Sequence, residues 1–170
     1  MPALTPFRNF EALDNCHQQI QQKLNELTAM AQRLTQAGAM DASVRSEAQA
    51  IEIFFSTVAR GHHAAEEQEV FPYLLASDNQ DTVAQVRSLI EDHFWIEKYW
   101  HDLSPMLSRI SQGLPLDDPT EFVRAVRLFL DLCNFHIEEE ESMIYPQAKA
   151  EVSRLYGSSH RPFPRPAQSD

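Results

Sequence analysis

The sequence predicts an all-α fold, an up-down-up-down antiparallel four-helix bundle. Three observations carry that expectation. Four segments place apolar residues at alternating spacings of three and four, which gives each a single buried face as a helix. Short breakers separate the segments, so consecutive helices turn back on one another. The whole chain of 170 residues holds only four glycines, too few for a β-rich or loop-rich fold.

The first segment runs from about Asn9 to Ala37 and stops at Gly38, a residue type that readily ends helices. Its stripe passes through Leu13, His17, Ile20, Leu24, Leu27, Ala31 and Leu34. The second opens near Asp41 and fades past Pro72, around Ala76, with a stripe of Val44, Ala48, Ile51, Phe55, Val58, His62 and Glu66. The run SDNQD then breaks the chain, and Asp78 is the candidate N-cap of the third segment. That segment reaches about Gln112, and its stripe is Val83, Val86, Ile90, His93, Glu97 and Trp100. Pro105 inside it predicts a kink or an early end. The fourth has the clearest start, with Asp118 as N-cap, Pro119 at the first helical position and Glu121 at the capping-box position. Its stripe is Phe122, Val126, Phe129, Cys133, His136, Glu140 and Met143, and it ends near Leu155. Residues 1–155 read as one bundle, and the Pro-rich polar stretch 156–170 as a disordered tail.

Composition narrows the function classes. A net charge of −11 argues against nucleic acid, whose binding needs clustered cations. No apolar run reaches the roughly 18 residues of a membrane span. The opening MPALTPFRNF lacks the basic-then-apolar layout of a signal peptide. Two cysteines, Cys16 and Cys133, make no disulfide framework. These features predict a cytoplasmic protein whose partners include neither membrane nor nucleic acid.

One motif is written twice. Residues 62–72 read HHAAEEQEVFP and residues 136–146 read HIEEEESMIYP, so His62, Glu66 and Pro72 map onto His136, Glu140 and Pro146 with a constant offset of 74. Residues four apart lie on one helix face, so each motif aims an imidazole and a carboxylate at one point. Counting residues to the nearest breaker tests whether the four stripes meet. His17 lies about 20 residues before the end of its helix and His62 about 20 after the start of the next. The corresponding counts for His93 and His136 also match their neighbours, so an antiparallel bundle brings all four imidazoles to one height.

Seven polar groups in one core layer are costly if unpaired, carboxylates most of all. One or two dications resolve that cost, which makes His17, His62, Glu66, His93, Glu97, His136 and Glu140 the candidate metal ligands. A satisfied core histidine explains any one of these imidazoles, but not four at one height. Nitrogen and oxygen donors without thiolate suit iron, manganese or zinc. The remaining candidates read more plainly. His63 points about 100° away from His62 and is expected behind the ligands or in solvent. His101 is expected at the surface or its boundary, and His160 lies in the tail. Glu138, Glu139 and Glu141 form a solvated face, with Glu141 a substitute for Glu140. Cys16 and Cys133 are packing residues; the alternative for Cys133 is a thiol lining the metal pocket. Phe94, Trp95, Tyr99 and Trp100 are interhelical filling, or alternatively a homodimer face.

The segments LDNCHQQI, HHAAEEQEVFP, EDHFWIEKYWHDL and FHIEEEESMIYP together resemble the hemerythrin-like, or HHE cation-binding, family, over about residues 9–150. The resemblance implies a non-haem di-iron centre in a four-helix bundle. It implies His17 and His62 on one iron, His93 and His136 on the other, and Glu66 and Glu140 bridging. Two departures separate the chain from the oxygen-carrying members. Glu97 stands where those have a second third-helix His, and Glu140 follows His136 at four residues where those have an Asp at five. A carboxylate in place of imidazole favours the ferric state, which argues against reversible oxygen carriage.

The leading expectation is a di-iron protein that binds or senses oxygen, nitric oxide or peroxide, with Phe55, Val58, Phe129 and Leu132 walling the ligand pocket. Redox catalysis of the peroxidase or nitric-oxide-reducing kind is the enzyme alternative, with Glu97 as its main support. Iron storage or delivery is the third. Ferritin-like sites fit less well, since they place Glu before His at a spacing of three.

Overall fold

The computed structural model describes residues 10–37 and 40–157, and among them all regular structure is helical. The first helix, Phe10–Ala37, and the third, Gln80–Ser111, are unbroken α-helices. The second and fourth are composites. Residues 42–75 comprise α-helical Ala42–Phe54, Arg60–Ala65 and Phe71–Leu75 joined by the π turns Phe55–Ala59 and Glu66–Val70. Residues 119–157 comprise Pro119–Glu139, the π turn Glu140–Ile144 and Tyr145–Gly157. The last helix thus runs two residues past its expected end at Leu155. Gly38 and the rest of the tail expected from residues 156–170 lie outside the described residues.

Local chemistry fixes most ends. Asp41 accepts the Val44 N–H at 2.9 Å, and Asp118 accepts those of Thr120 and Glu121, with Pro119 in the first turn. The third helix is capped by Asn79 rather than Asp78: its side chain accepts from Asp81 and Thr82. Asp and Asn cap about equally well, so composition could not rank two adjacent candidates. Gly113, at φ 73°, takes the left-handed turn that closes this helix, and the Leu114 N–H reaches back to the Arg109 carbonyl. Pro105 neither ends nor shortens the helix, which continues to Ser111. Pro105 and His101, the residue whose carbonyl loses its donor, are both exposed, so solvent takes the donor's place.

The two π turns in the doubled motif have a common cause. A proline crowds the carbonyl four residues back and cannot donate to it. For Pro72 that residue is Gln68 and for Pro146 it is Ser142, each the middle residue of its π turn. The wider turn relieves the conflict, and the N–H groups of Phe71 and Tyr145 bond to the Glu66 and Glu140 carbonyls five residues back.

These turns also rotate the buried stripe. Val58, expected inside, is 42% exposed and Ala59 is buried instead, because the π turn Phe55–Ala59 holds an extra residue. Met143 is likewise only partly buried, while Ile144 and Tyr145 point inward. The third helix has no such turn, and its core side follows Leu89, His93, Ile96 and Trp100. Ile96 therefore takes the inward place expected of Glu97, and Leu89 that of Ile90.

Each helix packs against its sequence neighbour, and the first also packs against the last. The interior divides into two apolar clusters. One is built around Leu24, Ile51, Leu103 and Phe129, the other around Leu13, Phe71, Leu89 and Tyr145. No helix among the described residues is long and apolar enough to cross a membrane.

Candidate metal centre

Between the two apolar clusters lies a polar layer. His17, His62, Glu66, His93, His136 and Glu140 are all buried, and they come from all four helices. The structure thus brings together six of the seven residues expected as ligands. His17 Nε2 lies 3.1 Å and His136 Nε2 3.3 Å from Oε2 of Glu140. His62 Nε2 lies 3.4 Å from Oε1 of Glu66, and His93 Nε2 3.5 Å from its Oε2. The Nε2 atoms of His93 and His136 are 3.1 Å apart. Donors held about 2.1 Å from one cation are separated by roughly 3.0 Å in octahedral and 3.4 Å in tetrahedral geometry, so these spacings match the edges of a coordination shell.

Two sets of four meet the condition that one donor atom from each member lies within 4.8 Å of the others: His17, His62, Glu66 and Glu140, and Glu66, His93, His136 and Glu140. Both carboxylates belong to both sets. Hydrogen bonding leaves the layer incomplete, since both Glu140 oxygens, Oε2 of Glu66 and both His62 nitrogens are buried without a hydrogen bond. Unpaired buried carboxylate is costly, and a cation is the partner this donor set fits.

Electrostatics differ between the halves. Burial opposes the charge on Glu66, yet the neighbouring His93 and His62 imidazoles and the Tyr145 hydroxyl hold its carboxyl down at about 2. Glu140 is pushed well above the usual range by burial and by the Glu66 charge. Burial lowers His62 to about 4 and also lowers His136, so both imidazoles stay neutral with a free lone pair. Burial acts on His93 too, but Glu66 and Glu67 outweigh it and raise its pKa.

A second tier of carboxylates orients the rings. Glu67, the residue after Glu66, accepts from His93 Nδ1 at 2.7 Å, and Glu141, the residue after Glu140, accepts from His17 Nδ1 at 3.1 Å. These bonds turn the Nε2 of each ring toward the centre. Asp92 faces His136 Nδ1 at 3.7 Å. Tyr145 donates its hydroxyl to Oε1 of Glu66, lies 3.2 Å from His17 Nε2, and stacks on the His17 ring. Its counterpart in the motif, Phe71, stacks on His93 without a hydroxyl.

Glu97 is not drawn into the layer. It is partly exposed and paired with Arg60, whose Nε lies 3.1 Å from its Oε2. His63, expected behind the ligands or in solvent, stacks on His93 with ring centroids 4.2 Å apart. A third donor set joins His63 to His93 and His136. His101 is exposed as expected, and Trp100 belongs to the core while Phe94 is exposed.

The hemerythrin HHE cation binding domain, as a family model, matches residues 8–148. The chain belongs to this family. No curated protein and no solved structure matches it. Within this HHE domain a cavity of about 20 Å³ reaches the layer at His17, His62, His63 and His136. Phe55 and Phe129 wall it as expected, together with Ile96 and Trp100, whereas Val58 and Leu132 do not line it. Cys133 is both buried core and part of the cavity wall, and burial pushes its thiol pKa up.

Glu67, Glu141, Phe71 and Tyr145 were not singled out for these roles from sequence. A signal was present, because the 74-residue offset that relates the two motifs also relates Glu67 to Glu141 and Phe71 to Tyr145.

Proposed function

We propose that this HHE domain is a non-haem di-iron protein that binds or senses a small ligand, with oxygen, nitric oxide and peroxide as the candidates. The observation that carries the reading is the membership of Glu66 and Glu140 in both donor sets. His17 and His62 would hold one ion, His93 and His136 the other, and the two carboxylates would span both. Iron, when bound, would supply a redox-active centre with a position open to a small ligand.

The chain's own residues limit what that ligand can be. One water needs a cavity of about 10–15 Å³, so a volume of about 20 Å³ suits a molecule of two non-hydrogen atoms. Phe55, Trp100 and Phe129 pack edge-on or tilted around it and keep its far wall apolar. Glu67 and Glu141 hold the His93 and His17 rings in place, and Tyr145 supports Glu66 through a donated hydrogen bond. The case for a redox enzyme rested on Glu97 as an added ligand, and its pairing with Arg60 removes that support.

Paired residues also favour the up-down-up-down order of the helices. Numbers rise on one helix as they fall on the next: Arg33 with Glu47 and His17 with His62, Ser56 with Trp100 and Glu67 with His93, Thr82 with Gln147 and His93 with His136. Two free thiols, Cys16 and Cys133, suit a reducing compartment, which supports a cytoplasmic location.

Metal analysis of protein purified without added metal tests the reading, with two iron ions per chain expected. Optical spectra of the reduced protein should then change with oxygen or with nitric oxide. No change with either sinks the ligand-binding reading. His62→Ala should lose metal and keep its helical circular dichroism; full metal retention overturns the donor set.

A further inference from the structure

The third helix carries one donor into the layer, because Glu97 is held outward by Arg60. The second helix offers two imidazoles in adjacent positions. His62 and His63 have ring centroids 5.8 Å apart and planes tilted by 52°, and they serve different donor sets. His62 lies with His17, Glu66 and Glu140. His63 places a ring nitrogen within 4.8 Å of nitrogens on His93 and His136.

We propose that His63 is a metal ligand, the third imidazole of the ion held by His93 and His136. This rests on the two-ion reading above and deepens it by making the two positions unlike. One ion would have two imidazoles, from His17 and His62, and the other three.

Several independent observations converge on His63. Its Nδ1 is buried and makes no hydrogen bond. A buried, unpaired ring nitrogen is a loss unless something else engages it. The ring lies against both partners, stacked at 18° to His93 and edge-on to His136 at 5.6 Å, and a rotation of its side chain would aim an in-plane lone pair at the ion they hold. The fold explains how neighbours on one helix reach both sets. Arg60–Ala65 is bracketed by the π turns Phe55–Ala59 and Glu66–Val70, which turn this short segment so that the layer faces the boundary between His62 and His63. The repeat has no equivalent, since the residue corresponding to His63 in the fourth helix is the apolar Ile137.

A packing role is the competing explanation, in which His63 merely covers His93. His63→Phe separates the two, because phenylalanine keeps a stacked ring and removes both nitrogens. The protein is loaded with cobalt(II), and the paramagnetically shifted, exchangeable imidazole N–H signals are counted by proton NMR. Each coordinated His contributes one such signal, so wild type should show five, from His17, His62, His63, His93 and His136. His63→Phe should show four, and a chelator titration should find one of its two sites weakened at least about tenfold with the other unchanged.

Four signals in wild type, or unchanged affinity at both sites in the variant, overturns the assignment. His63→Gln answers the same question if the larger ring disturbs folding, as judged by circular dichroism. His101→Phe, on an exposed position, should change nothing. Failure of this inference is distinct from failure of the two-ion reading. A wild-type protein that binds one ion or none overturns the latter, whereas two ions with an indifferent His63→Phe overturns only the former.

Discussion

His93 donates its Nδ1–H to Oε1 of Glu67 at 2.7 Å, and Glu67 is the residue that follows the shared carboxylate Glu66. The fourth helix repeats the arrangement, since Glu141 follows Glu140 and accepts from His17 at 3.1 Å. Each motif therefore delivers one carboxylate to the centre and, one residue on, a second carboxylate to the back of a histidine on another helix. Such a partner fixes the ring and raises its basicity, and losing one typically lowers metal affinity 10–100-fold. Glu67→Ala should fall in that range in a chelator competition. Glu141→Ala should fall less, because its bond is longer and its side chain 53% exposed. Equal or negligible losses would contradict the ring-orienting role.

Tyr145 and Phe71 occupy matching places in the two motifs, and only Tyr145 carries a hydroxyl that reaches Glu66. Tyr145→Phe makes the halves alike and leaves a buried carboxylate oxygen with one donor fewer. The metal-free protein should lose about 1–3 kcal/mol in urea unfolding. Metal stoichiometry should stay at the wild-type value, since burial raises the Tyr145 pKa and keeps it a neutral phenol that donates to Glu66 rather than a phenolate ligand. A variant that unfolds like wild type would show that the phenol is packing only.

Proton linkage follows from the directions of the pKa shifts. Glu140 and His93 are both raised, so in the metal-free protein each keeps its proton to a higher pH than an ordinary carboxyl or imidazole. Metal binding must displace those protons, whereas His62 and His136 are lowered and give up theirs more readily. Affinity should therefore rise with pH and fall on acidification, with protons released on loading. Calorimetry in buffers of different ionisation enthalpy measures the number directly. Proton uptake on binding would contradict the assignment.

The fold was legible because its determinants are periodic and local. Stripes such as Leu24–Leu27–Ala31, the helix start near Asp41, the cap Asp118 and the doubled motif all survive in the structure. The errors cluster where a helix departs from the α period. Val58 and Met143 were placed inside by continuing a spacing of three or four through π turns, which shift the register by a residue. Pro146, which causes the second of those turns, was visible, but a proline six residues after a Glu does not by itself say whether the helix kinks, ends or widens. Glu97 departs from its expected inward place for the opposite reason. The third helix stays regular, and its inward position one turn after His93 is Ile96, while Arg60 on the neighbouring helix captures the carboxylate. Such a partner, 37 residues away, has no signature in local sequence.

That Arg60–Glu97 pair has a testable consequence. Both residues line the cavity that reaches the histidines, and both are partly exposed, so the pair sits at the cavity mouth. Exposed ion pairs contribute little to stability, typically under about 1 kcal/mol. Arg60→Ala should therefore unfold much like wild type and bind the same amount of metal. Its effect should be kinetic, because removing the guanidinium widens the path into a space of about 20 Å³. In stopped-flow mixing of the iron-loaded, reduced protein with nitric oxide, association should accelerate several-fold. Glu97→Gln gives a paired control, since it weakens the ion pair while keeping the side chain's bulk, and should lie between wild type and Arg60→Ala. Unchanged rates in both variants would place the entry path elsewhere, and metal loss in Glu97→Gln would return Glu97 to the ligand set.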